Sequence, residues 1–298
     1  MRNRYTLLGM LGGILLWTGL AFGQEHDHSQ HTMMESKSKA AVGEQDEKLP
    51  PGEDGAKAAL EKSPRHGEWV DVKYEGSEHP IRTWIVYPEK KEKAPVVIVI
   101  HEIYGVTDWI RAVSDQLAKD GYLAVAPDLI SGMGPGGGGT ESVATRDEVV
   151  RLIRGLSAEE ATQRLHAVRS YAIQLPSANG KSATVGYCWG GSMSFGYACV
   201  QPGLNAAIVY YGTSPAADAL GKLSAPVLGF YGGDDARVNA TIEAASAEIK
   251  KLGKTYEYEI YEGAGHGFLR QQSGREGANL KATQQAWPRM LSFLKKHL

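Results

Sequence analysis

A chain of 298 residues, 42% of them hydrophobic, with 32 Lys and Arg against 34 Asp and Glu, has the makeup of a globular protein able to bury a core. Its formal net charge of −2 offers neither the basic excess of a nucleic-acid binder nor the acidic block of a solvating tail. Cys188 and Cys199 are its two cysteines; on one helix they would stand about 16 Å apart, too far to pair, so no structural disulfide is expected.

The chain opens with Arg2 and Arg4, an uncharged and mostly apolar run over 6–20, and the small residues of Ala21-Phe22-Gly23. That is the pattern of a secretory signal peptide over 1–23, and it implies a periplasmic or secreted protein; left uncleaved, it would act as a signal anchor. Residues 24–65 are polar, with Pro50-Pro51-Gly52 among them, and read as a disordered linker. His26, His28 and His31 cluster there. They could touch a transition metal weakly, but nothing fixes ligand geometry, so a solvated tail is the preferred reading and no metal site is assigned.

From 66 to 298 a single α/β domain is expected. Residues 69–74 and 81–87 alternate in polarity and suit the antiparallel edge of a sheet. Residues 95–100, 122–126, 183–185, 206–210 and 227–231 are continuously apolar, as strands buried on both faces are. A last alternating strand covers 256–261. Helical patterns over 109–119, 158–175, 191–200, 240–252 and 280–296 fall between them. The alternation predicts a mostly parallel eight-stranded sheet with helices on both faces. The glycine-rich stretch 132–139 lacks the lysine and Ser/Thr of a phosphate-binding loop. It reads as a mobile rim of the active site or as a plain surface loop.

Gly186-Tyr187-Cys188-Trp189-Gly190-Gly191 carries the chemistry. A strand turning into a helix through Gly-x-nucleophile-x-Gly is the elbow of the α/β-hydrolase fold, and side chains at 186 and 190 would collide with neighbouring backbone. A thiol at a helix N-terminus is expected to lean towards thiolate. Such a nucleophile needs a base and an orienting carboxylate, each on a loop after a strand. Asp234-Asp235 and His266 follow Cys188 in that order. The loop 101–105 after the third strand is where this fold supplies one oxyanion N–H, and the residue after the nucleophile, Trp189, supplies the other.

Gly-x-Cys-x-Gly-Gly at 186–191, His-Glu-Ile-Tyr-Gly at 101–105, Gly-Gly-Asp-Asp at 232–235 and Gly-His-Gly-Phe at 265–268 together resemble the dienelactone hydrolase family. The resemblance implies a Cys188, Asp235, His266 triad, with Asp235 chosen as the second residue after the glycine pair, and oxyanion donors at Ile103 and Trp189. It also implies that Glu102 holds the resting thiol neutral and takes part in forming thiolate. Arg270, four residues after His266, would bind a substrate carboxylate, helped by Arg146, with Arg151 and Arg154 left open. The expected activity is hydrolysis of esters or lactones without a cofactor, by a monomer acting on a small, carboxylate-bearing substrate. A general carboxylesterase or thioesterase on the same machinery, and a non-catalytic binding protein working through its His-rich tail, are the alternatives.

Overall fold

The computed structural model describes residues 46–298; the export pattern and His26, His28 and His31 lie outside the described residues. In chain order the first half runs α1 (Glu53–Lys62), β1 (Gly67–Val72), β2 (Ile81–Val86), β3 (Ala94–Ile100), α2 (Asp108–Lys119), β4 (Leu123–Pro127), α3 (Arg146–Gly155) and α4 (Ala158–Ala172). The second runs β5 (Ala178–Tyr187), α5 (Trp189–Ala198), β6 (Ala206–Tyr210), α6 (Ala217–Leu220), β7 (Val227–Gly232), α7 (Ala236–Asn239), α8 (Ile242–Lys251), β8 (Tyr256–Tyr261) and α9 (Ala278–His297).

The eight strands form one mixed sheet in the order β1-β2-β4-β3-β5-β6-β7-β8. The pairs β1–β2 and β2–β4 are antiparallel, and the strands from β4 to β8 are mutually parallel. The central strands lack polar alternation because both faces are covered. In β3, Val96, Ile98 and Ile100 enter one apolar cluster with Leu165 and Val168 of α4 and Phe195 of α5. Val97 and Val99 enter the opposite cluster with Trp109 and Val113 of α2 and Trp287 and Met290 of α9. The edge strand β8 does alternate. Its Glu257 and Glu259 face Arg289 of α9, at 3.3 and 2.6 Å, and Tyr258 and Ile260 take the exposed face.

Residues 53–62, expected within a disordered linker, are helical, so the fold begins ahead of residue 66. The segment has one large apolar residue, Leu60, too few for a hydrophobic period to reveal it. Acidic residues in its first turn and Lys62 in its last complement the helix dipole. The segment is held by burial: Leu49, just ahead of the helix, and Ala56, on it, are buried in the cluster that holds Trp109. Trp109 Nε1 donates to the Pro51 carbonyl at 3.1 Å, and Gln272 Nε2 to that of Pro50 at 2.9 Å. Helix α3 was also not read from the sequence, although Thr145-Arg146-Asp147-Glu148 is a capping-box signature; the Thr145 hydroxyl accepts from the Glu148 N–H.

The glycine-rich stretch 132–139 contains one 3-10 turn, Pro135–Gly137, and runs into a second, Thr140–Ser142, fastened to buried Asp128. That carboxylate accepts from the Thr140 N–H and hydroxyl at 2.5 and 2.9 Å. The Thr140 hydroxyl in turn accepts from the Val106 N–H at 3.2 Å. The stretch therefore buttresses the loop after β3.

Candidate active site

At the C-terminal ends of β3, β5, β7 and β8 the chain brings its reactive side chains together. Strand β5 enters α5 through Cys188, whose φ of 56° and ψ of −116° are rare for a residue with a side chain. The turn holds because its flanks are bare. A Cβ on Gly186 would strike the Gly190 carbonyl, and one on Gly190 the carbonyls of Ile100 and His101. The elbow thus sits directly against the end of β3, and Trp189 stacks on His101, centroids 5.5 Å apart.

Cys188 Sγ lies 3.1 Å from His266 Nε2. His266 Nδ1 lies 2.5 Å from Asp235 Oδ2, and Asp235 is buried. The carboxylate fixes the imidazole with its proton on Nδ1, leaving Nε2 to accept from the thiol. Asp234, the other candidate, turns away to Arg275 at 2.6 Å on the surface. His101 is wholly buried, its Nδ1 2.7 Å from the Glu102 carbonyl and its Nε2 accepting from the Leu129 N–H; it braces the loop after β3.

The thiol is not poised as thiolate. Burial, then the nearby charge of Glu102, push it up to about 11, although the Trp189 N–H and Arg237 pull the other way. Desolvation and a facing carboxylate outweigh the helix terminus. Glu102 itself is 3% exposed. Burial, only partly offset by Arg270, pushes its carboxyl up to about 7. The Trp189 N–H reaches the thiol, and the Ile103 N–H, on the loop beside the elbow, makes no main-chain hydrogen bond among the described residues.

Arg146 and Arg270 converge on Glu53, a residue not read from the sequence. Arg270 Nε lies 2.7 Å from Glu102 Oε2 as an ion pair rather than an aligned hydrogen bond. Arg270 Nη1 pairs with Glu53 Oε2, and Arg146 Nη2 with Glu53 Oε1 at 2.5 Å. Both guanidiniums lie over the ring of Tyr104, at 5.3 and 5.1 Å. Arg151 pairs with Glu148 and is exposed, as is Arg154, so neither joins the group. Two further residues escaped the sequence reading. The Tyr187 and Tyr211 hydroxyls are buried without a hydrogen-bond partner, and both feel the charge of Glu102. Tyr211, at φ 43°, also packs on the His266 ring at 5.2 Å. An apolar groove of about 570 Å³, lined by Trp189, Met193, Val200 and Pro215, opens beside the elbow.

Comparison with known proteins agrees with this architecture. The model of the dienelactone hydrolase family matches residues 81–298. A carboxymethylenebutenolidase of Pseudomonas putida is 31% identical over 207 residues, covering 68% of this chain and 86% of that protein. A protein of Saccharolobus solfataricus, named as a candidate carboxymethylenebutenolidase, is 30% identical over 256 residues, covering 76% of this chain and 98% of its own. The crystal structure of a candidate dienelactone hydrolase from Klebsiella pneumoniae superposes with a TM-score of 0.67 at 27% identity, over 76% of this chain and 97% of that one.

Proposed function

We propose that this chain, which belongs to the dienelactone hydrolase family and is a hydrolase of ester or lactone bonds, works through an acyl-enzyme on Cys188. The observation that carries the reading is the continuous contact from Cys188 Sγ through His266 to buried Asp235. In the first half-reaction the thiol proton passes to His266 Nε2 while sulfur bonds to the carbonyl carbon. The carbonyl oxygen becomes an oxyanion held by the Ile103 and Trp189 N–H groups. Collapse breaks the C–O bond, and His266 returns its proton to the leaving oxygen. In the second half His266 takes a proton from water as it attacks the thioester, and the acid leaves with the thiol restored. Asp235 stabilises the imidazolium in both halves.

Glu102 keeps the resting sulfur protonated. A neutral thiol resists oxidation better than a thiolate, and this suits the periplasmic or secreted location that the export pattern at 1–23 supports. Fractionation of cells expressing the full chain tests that location; enzyme confined to the cytoplasm would contradict it. The apolar groove beside Trp189 favours a second reading on the same machinery, a carboxylesterase of wider scope.

The test is hydrolysis of p-nitrophenyl acetate and of an uncharged lactone by wild type and Cys188→Ala. We expect turnover to fall by about 10³-fold or more in the variant. Activity surviving there would sink the cysteine mechanism. Ester turnover without lactone turnover would favour the carboxylesterase.

A further inference from the structure

Two guanidiniums beside Glu102, those of Arg146 and Arg270, already hold a carboxylate, and it comes from the chain itself. Glu53 spans Arg146 and Arg270 with one oxygen on each. Although burial works against its charge, the hydrogen bonds and charges of the two arginines together hold its carboxyl below the ordinary range. One arginine separates it from Glu102, since Arg270 touches both.

Glu53 is not a loose plug. Its own N–H donates to the Arg270 carbonyl at 2.8 Å, so the main chain and the side chain grip the same residue. The preceding Pro50 and Pro51 carbonyls are bonded to Gln272 and Trp109. Leu49 and Ala56 on either side are buried. Displacing the carboxylate would require peeling the start of α1 from two neighbours. Glu53 also lies ahead of the stretch matched by the family model, 81–298.

We infer that Glu53 is a specificity-determining residue: its carboxylate fills the anion position between Arg146 and Arg270, so the site takes esters and lactones whose remaining groups are uncharged and rejects those bearing a carboxylate. The inference rests on the cysteine-hydrolase reading above. A substrate anion between Arg146 and Arg270 would meet two positive charges already matched by Glu53 and Glu102, and would gain no uncancelled partner from that pair for the water it loses. A neutral apolar group loses nothing there, and the groove along Trp189 and Met193 offers it cover.

The experiment compares kcat/KM for p-nitrophenyl butyrate and mono-p-nitrophenyl succinate in the full chain, wild type beside Glu53→Gln. Wild type is expected to disfavour the succinate ester at least about tenfold, and the variant to raise the acid-to-neutral ratio by about tenfold or more. A wild-type ratio of one or above, or a ratio that E53Q leaves unmoved, overturns the inference. Should E53Q fail to fold, the wild type still decides. Free succinate should leave butyrate hydrolysis uninhibited up to about 50 mM, and inhibition at about 1 mM would show an open anion site. Both ratios are also to be read against Cys188→Ala. Activity that survives there overturns the cysteine mechanism, whereas cysteine-dependent activity that prefers the acid ester overturns the role of Glu53 alone.

Discussion

On one side of Glu102 stands the chain Cys188–His266–Asp235, and on the other the cluster Arg146–Glu53–Arg270. The first is positioned by strand ends and by a turn with no room for side chains at 186 and 190. Each member occupies a place that the parallel sheet alone would assign it. The second depends on a helix ahead of the sheet whose docking rests on buried Leu49 and Ala56 and on the Pro50 and Pro51 carbonyls. Reaction type is thus written into the sheet, while charge selection is written into an addition to it. A substitution on the first side should destroy turnover; one on the second should redirect it.

His266→Gln and Asp235→Asn test the first side most severely after the nucleophile itself. The former is expected to lower kcat by about 10³-fold or more, and the latter by about 10²–10⁴-fold through loss of the imidazole's tautomer and orientation. Steady-state rates on p-nitrophenyl acetate measure both. An Asp235→Asn enzyme within about threefold of wild type would remove the aspartate from the mechanism.

Glu102, between the two sides, gives a smaller effect that depends on pH. Its carboxyl titrates at about 7 in the fold against an ordinary value of 4.5. Between those values the folded chain keeps a proton that the unfolded chain has released, so stability falls as pH rises through the window and stays lower above it. Glu102→Gln should therefore gain about 1–3 kcal/mol over wild type in urea unfolding at pH 8, relative to any difference at pH 4. An equal offset at both pH values would show that the buried carboxyl is not strained by its surroundings.

Asp234→Asn gives the smallest effect. Asp234 and Arg275 form an exposed pair, so stability should change by less than about 0.5 kcal/mol and turnover by less than about twofold. A loss comparable to that of Asp235→Asn would mean that the two aspartates can exchange roles.

The elbow was legible because steric necessity leaves a local trace: glycines at 186, 190 and 191 bracket the nucleophile within one stretch. The order of Cys188, Asp235 and His266 was legible because a parallel sheet puts successive strand ends on one side. Arg270 could be named from the family resemblance, which implies an arginine four residues after the catalytic histidine. Its partner could not, because Glu53 lies 217 residues away in a segment whose polarity reads as linker. The neutral thiol followed only from the family resemblance, since a helix N-terminus is local whereas desolvation by burial and the facing Glu102 arise only in three dimensions. The capping box at Thr145 was present in the sequence and marks α3, which carries Arg146 at its first position.

The bond from the start of α1 to Arg270 also bears on how the molecule assembles. Helix α1 meets α2 across a short span of chain, with Trp109 and Pro51 58 residues apart. Glu53 and Arg270 must close a loop of 217, and loop closure over such distances comes late in folding. The contact of Glu53 with Arg270 is therefore expected to form after that of α1 with α2. Until Glu53 docks, Arg146 and Arg270 lack the anion that matches them. Maturation of the pocket and completion of the C-terminal fold become a single event, and a half-folded chain would present a different charge to its surroundings from the finished enzyme.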